Sequence, residues 1–193
     1  MGKQALGELE QDPDQVGIVL FGRPYNAFMP EANKGIPHKF ASRGYKLIPV
    51  DFLDLKDAEI RDHMYWSMGQ INLKGAAIVE AHPQLFGTFI TNFSCGPDSF
   101  VVGYFRSIMG IKPSLTLELD NHTADAGLET RIEAFLDIVA RYRILKDRGD
   151  APDKAQDDFV KAESRMEDGK FIITTSEGEE VSIFDKRVRV VFA

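Results

Sequence analysis

A single cysteine, Cys95, is the residue of this sequence best suited to bind a metal or to act as a nucleophile. It lies in segment 92–98 (NFSCGPD), between an apolar stretch typical of a strand and a stretch typical of a helix. The positive end of a helix lowers the pKa of a nearby thiol, and the thiolate is the reactive and metal-binding form. A small buried residue at a tight turn would explain the same position without any chemistry, so both interpretations stay open.

Two other polar loops also follow apolar stretches. Arg23 comes directly after the run VGIVLFG and is a candidate to bind a phosphate or a carboxylate. Asp120, His122 and Asp125 combine carboxylates with an imidazole, a set of groups that can transfer protons. Asp120 can also simply close a strand, and Thr123 or Asp125 can cap the helix that follows, so a structural role remains an alternative.

The elements that would position these loops alternate along the chain as strand, loop and helix. Short apolar runs predict strands at 16–21, 46–50, 86–93 and 114–119. Helical spacing of apolar residues predicts helices from about 35 to 43, across 57–81, at 99–109 and at 125–145. This order predicts an α/β fold, a three-layer Rossmann-like arrangement around a mostly parallel sheet. We therefore expect the polar loops at one edge of the sheet, where open α/β sheets bind ligands.

The pattern of charge and hydropathy divides the chain into three parts. Residues 1–145 are expected to form the Rossmann-like domain, with the polar first fifteen residues as a linker or the end of a helix. Residues 146–170 are dense in both signs of charge and indicate a linker or a solvated helix. Residues 171–193 predict a β-hairpin (171–175 with 181–184) and a further strand at 187–192. We interpret this last part as a small appendage or the start of a following domain, in a chain cut from a longer one.

Composition excludes several classes of function. The chain has 193 residues, one cysteine and a net charge of −7. A single cysteine excludes intramolecular disulfides, and the acidic balance argues against broad nucleic-acid binding. No apolar run is long enough for a membrane helix or has the form of a secretory signal, so we expect a cytoplasmic protein. The dinucleotide fingerprint GxGxxG and the phosphate loop GxxxxGK[ST] are both absent.

Four blocks, in the same order along the chain, resemble a known family. They are FGRPYNAFMPEANKGIPHKFASRGYKLIPVD (21–51), MYWSMGQ (64–70), TNFSCGPDSF (91–100) and LELDNHTADAGLETRIEAFLD (117–137). They are similar to the large acyl-CoA dehydratase activase-related proteins, also described as CoA-substrate-specific enzyme activases and as 2-hydroxyglutaryl-CoA dehydratase activator and component D relatives. The resemblance extends over about residues 16–143.

The resemblance implies a domain of the dehydratase component D type. In the related dehydratase subunits, cysteines at strand ends bind an iron–sulfur cluster such as [4Fe-4S]. An ATP-driven electron there starts the radical elimination of water from a 2-hydroxyacyl-CoA, in anaerobic metabolism. By this resemblance Cys95 is the candidate cluster ligand, Arg23 a candidate to face the ligand, and an acyl-CoA a candidate partner.

The sequence departs from that family in two respects. It contains one thiol, and its loop after the first strand reads RPYN where the dehydratase subunits have a cysteine. The other cluster ligands would then come from other domains of a parent chain or from a second subunit. We expect no cluster and no activity in the isolated domain, and no ATP hydrolysis. The alternative is a docking or binding module of the same large protein that holds no cluster.

Overall fold

The computed structural model describes residues 2–56, 58, 64–92, 96–120 and 124–149, and the backbone of 164–167, 170–174 and 180–182. The chain divides into two compact units, Met1–Asp153 and Lys154–Ala193. The strands of the first unit are β1 (Gly17–Gly22), β2 (Lys46–Pro49), β3 (Leu85–Asn92) and β4 (Ser114–Leu119). Its α-helices are α1 (Gly2–Glu10), α2 (Pro24–Ala27), α3 (Pro30–Asn33), α4 (Ile36–Ala41), α5 (Ser67–Ala81), α6 (Pro97–Met109) and α7 (Asp125–Asp147). Within the described residues, no helix combines the length and the apolar character needed to cross a bilayer.

The four strands of the first unit form one parallel sheet in the order β2-β1-β3-β4. Gly22 at the end of β1 is in register with Ile90 of β3, and Asn92 is in register with Leu119 of β4. The chain passes from β1 to β2 on one side and then returns to place β3 on the other side. The carboxyl ends of β1 and β3 therefore flank the point where the strand order reverses, the usual ligand position in such sheets.

Helices cover both faces of this sheet, which confirms the predicted three-layer α/β fold. Every residue of β1 is buried, as its unbroken apolar run predicts for a strand covered on both sides. Its Ile18 and Leu20 belong to a core shared with α4 and α7, and its Val19 and Phe21 belong to a core shared with α5 and α6. Alternate residues of one strand thus contribute to two separate hydrophobic layers.

Three phenylalanines dominate the layer between the sheet and α5 and α6. The ring centroid of Phe105 lies 4.9 Å from that of Phe21 and 5.4 Å from that of Phe89. All three side chains are at most 1% exposed, and burial of each contributes about 1.5–3 kcal/mol. Gly87 of β3 makes room for this cluster, because a Cβ there would lie 2.8 Å from the Phe105 ring.

Two predicted helices differ from the structure. The helix expected near 35–43 is α4 (Ile36–Ala41), and a separate short helix, α3, precedes it across the left-handed residues Lys34 and Gly35. A proline occupies the first or second position of each, where its fixed φ suits a helix start. Within the range 57–81, where one helix was expected, α5 begins at Ser67 and residues 64–66 are not helical. Residues 57 and 59–63 lie outside the described residues.

The first fifteen residues are part of the folded unit and are not a linker. Leu9 of α1 is fully buried in the layer with α5 and α6. The side-chain amide nitrogen of Gln84 lies within hydrogen-bonding distance of the carbonyl oxygens of Leu9 (3.1 Å), Asp12 (2.8 Å) and Gln15 (3.0 Å). This amide fixes the turn between α1 and β1 against the start of β3.

The second unit contains an antiparallel sheet in the order β5-β6-β7, with β5 (Ser164–Glu167), β6 (Lys170–Thr174) and β7 (Glu180–Ser182). The pairing of β6 with β7 agrees with the predicted hairpin. The strand β5 falls within 146–170, where a linker or helix was predicted, and α7 extends to Asp147 rather than ending at 145. The strand expected at 187–192 lies outside the described residues.

Lys112 holds the end of α5 at the opposite edge of the parallel sheet from the polar loops. Its Nζ donates to the carbonyl oxygens of Val79 (2.6 Å), Glu80 (3.2 Å) and His82, which end the helix. The side chain is buried, and this burial is the main cause that lowers the pKa of Lys112 from 10.5 to about 8. Repulsion from Lys146 lowers the pKa further, while Glu80 raises it.

The lowered pKa of Lys112 predicts that the free energy of unfolding changes with pH in the alkaline range. Between pH 8 and 10.5 the unfolded chain binds the Lys112 proton more tightly than the folded chain, so folding becomes more favourable as pH rises. We expect the free energy of unfolding of the unmodified protein, relative to Lys112→Met, to increase across this window by up to about 1.4 kcal/mol per pH unit. Urea denaturation of both proteins at a series of pH values measures this difference, and a constant difference would contradict the prediction.

Candidate functional site

The chain leaves β1 at the carboxyl edge of the sheet through a position that only glycine occupies easily. Gly22 has a φ of 135°, and a Cβ there would lie 2.4 Å from the carbonyl oxygen of Ile90 on the neighbouring strand. Its N–H donates to Oδ1 of Asn72 in α5 (3.0 Å), a buried hydrogen bond. These constraints direct the next residue, Arg23, to the point where the strand order reverses.

Arg23 forms an ion pair with Asp98 from the first turn of α6. The Nη2 of Arg23 lies 2.9 Å from Oδ2 of Asp98, and the two side chains are 17% and 1% exposed. The hydroxyl of Thr91, near the end of β3, donates to the same carboxylate oxygen at 2.6 Å. The guanidinium also lies 5.0 Å from the centre of the Tyr25 ring, a cation–π contact. The loop after β1 and the helix after β3 are thus joined by a buried charge pair.

The surroundings of Asp98 favour a carboxylate at this place. Pro97 occupies the first turn of α6 beside it, and the N-terminus of a helix stabilises negative charge. Among the described residues, however, no hydrogen bond reaches the second oxygen of Asp98, Oδ1, which is buried. A buried acceptor left in this state costs stability and calls for an explanation, of which a functional role is one.

Two asparagines form a second connection across the edge. The Nδ2 of Asn92, the last residue of β3, donates to Oδ1 of Asn26 in α2 at 3.0 Å. Asn26 is only 2% exposed, so this polar contact is buried on the side of α2. This contact ties the connection after β1 to the last residue of β3.

Two lysines contact the residues that follow β4: Lys34, just before α4, and Lys39, within α4. Lys34 Nζ donates to the carbonyl oxygen of Asp120 at 2.7 Å, and Lys39 Nζ lies 2.8 Å from Asp125 and 2.6 Å from Glu129. These hydrogen bonds, to Asp125 first and Glu129 second, raise the pKa of Lys39. The pKa of Glu129 is lowered by hydrogen bonds from Lys39 and from Arg43. Asp125 acts here as an ion-pair partner that links α4 to α7.

The predicted site residues therefore fall into three groups. Arg23 lies at the strand-order reversal, Asp120 and Asp125 lie at the end of β4, and Cys95 and His122 lie outside the described residues. Sequence analysis missed the partners of Arg23. A threonine near the end of β3 and an aspartate directly after Pro97 were the available signals. Among the described residues, no cluster of three or more His, Cys, Asp and Glu side chains could hold a metal ion.

A hollow of about 360 Å³ opens beside Arg23. Its walls come from the loop after β1 and from the starts of α5 and α6. They are formed by Arg23, Pro24, Tyr25, Trp66, Met68 and Pro97. The buried ion pair thus adjoins a space with mostly apolar walls, at the edge where α/β sheets bind ligands.

Removal of one member of the ion pair is expected to destabilise the fold more than removal of both charges. Arg23→Met leaves the buried carboxylate of Asp98 without its cation and should lower the free energy of unfolding by about 3–5 kcal/mol. Combining it with Asp98→Asn should restore part of that loss, because no charge is then left buried. Urea denaturation of the two single variants and the double variant gives the coupling energy.

The matched control is Lys3→Met, which breaks an exposed ion pair with Asp54 (3.0 Å; 83% and 41% exposed). This control should change stability little, because exposed pairs are screened by solvent. Equal effects of Arg23→Met and Lys3→Met would show that the buried pair holds no special place in the fold.

Comparison with known proteins bears on the part of the chain that carries Arg23. Residues 1–53 match a family model described as CoA enzyme activase uncharacterised domain (DUF2229). Neither the curated proteins nor the solved structures include a match to this chain. The matched residues include β1, the loop with Arg23 and β2, and hence the first of the four blocks that resemble the activase family. Over these residues, the chain is similar to this CoA enzyme activase domain.

Proposed function

We propose that this chain is a domain of a CoA-substrate-specific enzyme activase or of a related 2-hydroxyacyl-CoA dehydratase protein. In this proposal the carboxyl edge of its sheet contributes Cys95 as one ligand of an iron–sulfur electron-transfer site. The observation that carries the proposal is the position of Cys95 in the chain, between the end of β3 and the start of α6. The described ends of the two elements, Asn92 and Pro97, belong to the edge where the strand order reverses and where Arg23 meets Asp98.

The chain's own residues do not make up a complete ligand set. A cluster of the common kind needs four cysteines or their equivalents, and this sequence has one cysteine. The missing ligands must therefore come from another domain of the parent protein or from a second subunit. The part of this domain is to supply a thiolate, and the N-terminus of the 13-residue helix α6 favours that charged form.

The alternative is a docking or binding module of the same large protein, with no cluster. The single cysteine favours this alternative, because one thiol cannot hold a cluster alone. A small residue between a strand and a helix also needs no metal to explain it. The two functions differ in what the thiol does, so Cys95 separates them.

The direct test is an oxygen-free preparation of the intact protein with its co-purifying subunits. Cys95→Ser should lower the iron and acid-labile sulfide bound per chain and the visible absorbance that iron–sulfur clusters produce. The matched control is Ser94→Ala, which changes the neighbouring residue, keeps the thiol and should leave the iron content unchanged. Iron content that is the same in Cys95→Ser and Ser94→Ala would reject the ligand role and leave the docking module.

A second measurement reports on the thiol itself. In the folded 193-residue chain, the alkylation rate of Cys95 as a function of pH should give an apparent pKa below the ordinary value of about 8.5. The same thiol in urea should return to that ordinary value. A thiol that reacts slowly in the folded chain, with no change in rate near neutral pH, would favour the docking module.

A further inference from the structure

A second hollow, which we call the aromatic groove, lies next to the one beside Arg23. It has a volume of about 520 Å³ and opens between segment 64–66 and the first turns of α6. Most of its walls are apolar or aromatic side chains, namely Met64, Tyr65, Trp66, Phe100, Val101 and Tyr104. No charged side chain is among the described residues that line it.

The wall formed by segment 64–66 is fastened to the start of α5. The side-chain amide of Gln70 donates to the carbonyl oxygen of Met64 at 2.9 Å, and the backbone N–H of Gln70 donates to that of Trp66 at 3.0 Å. Gly69 allows this close packing, because a Cβ there would lie 2.5 Å from the sulfur of Met64 and 3.2 Å from the Trp66 ring. The position of the Trp66 ring is therefore set by contacts with α5.

The opposite wall is a helix face that exposes large apolar side chains. Phe100 and Tyr104 are four residues apart on α6 and are 71% and 37% exposed, whereas Val101 and Phe105 beside them are buried in the core. Tyr65 across the groove is 94% exposed. Single exposed apolar residues are ordinary, but a contiguous aromatic patch around a concave space is typical of a binding site.

The cation in the adjacent hollow is already neutralised by an ion pair. Trp66 and Pro97 line both hollows, so the two are adjacent. The cation in the smaller hollow is Arg23, whose charge is balanced by the buried carboxylate of Asp98 at 2.9 Å. A charged ligand that lost its hydration in the aromatic groove would meet no opposite charge on the described residues that line it.

We propose that the aromatic groove binds an uncharged small molecule with a flat ring system. The volume lies within the range of about 300–1,000 Å³ that is usual for small-molecule sites. Tyrosine, tryptophan and phenylalanine rings favour flat partners through offset stacking and edge-to-face contacts. This inference is drawn from described residues alone and makes no use of the proposed iron–sulfur site.

Trp66 provides the assay, because it is the only tryptophan in the chain and lines the aromatic groove. Energy transfer from its fluorescence to a bound dye reports occupancy of this place. Two dyes with the same ring body serve as probes: phenylnaphthylamine, which is uncharged, and anilinonaphthalene sulfonate, which carries a sulfonate. We expect saturable transfer to the uncharged dye and about tenfold weaker binding of the sulfonate.

Phe100→Ala tests the contacts directly, and its exposure means that the fold does not depend on it. This variant should weaken binding of the uncharged dye by about tenfold, the loss expected for one aromatic contact. Ile138→Ala, which removes an exposed apolar residue of α7 (56% exposed), is the matched control and should bind the dye as the unmodified chain does. Gly69→Ala should also weaken binding, because the added methyl group displaces Met64 and Trp66.

Three results would overturn the proposal. They are the absence of saturable energy transfer from Trp66, tighter binding of the sulfonate than of the uncharged dye, and equal loss of binding in Phe100→Ala and Ile138→Ala. None of these results would affect the iron content measured for Cys95→Ser, so the two proposals fail independently.

Discussion

A strand that is covered on both faces can present functional groups only at its ends, and β1 is such a strand. All of its residues are buried between two helical layers. The first charged side chain after β1 is therefore that of Arg23. The neighbouring strand β3 is constrained in the same way up to Asn92, its first partly exposed residue. The parallel direction of the two strands brings these ends to the same edge. The position of the polar groups thus follows from the coverage of the sheet.

Charge pairs join the connections at that edge to one another. Arg23 and Asp98 connect the two central loops, and Lys39 connects α4 to α7 at the end of β4. The two contacts differ in cost, because Asp98 is almost fully buried whereas the side chain of Asp125 is 72% exposed. A buried pair depends strictly on both partners, and an exposed one tolerates the loss of either. The central loops are therefore the less tolerant part of the edge.

The pattern of apolar residues was enough to predict the sheet. Runs such as that of β1 fit only a strand with both faces covered, and their alternation with helical stretches required parallel pairing. Two kinds of feature were not predictable in this way. The break between α3 and α4 depends on the left-handed backbone at Lys34, a residue type that seldom adopts it. The start of α5 at Ser67 is accompanied by the packing of Met64 over Gly69, a contact that no periodicity reveals.

The candidate site was predicted in its location and only partly in its members. Arg23 was identified because it directly follows an apolar strand, where a guanidinium can bind a phosphate or a carboxylate. Its partners Thr91 and Asp98 are ordinary residues for a strand and for a helix start, and only the register of β1 with β3 brings them together. The prediction for Cys95 and His122 rests on the sequence and its resemblance alone, since both lie outside the described residues.

The amide of Gln84 has a consequence for how this domain can be separated from its surroundings. Its contacts with the carbonyls of Leu9, Asp12 and Gln15 fasten the turn between α1 and β1 to the start of β3. A fragment that started at β1 would retain every strand of the parallel sheet, yet it would uncover the apolar surface against which Leu9 packs and leave the Gln84 amide without these acceptors. The smallest autonomous folding unit therefore extends upstream of the first strand and includes α1.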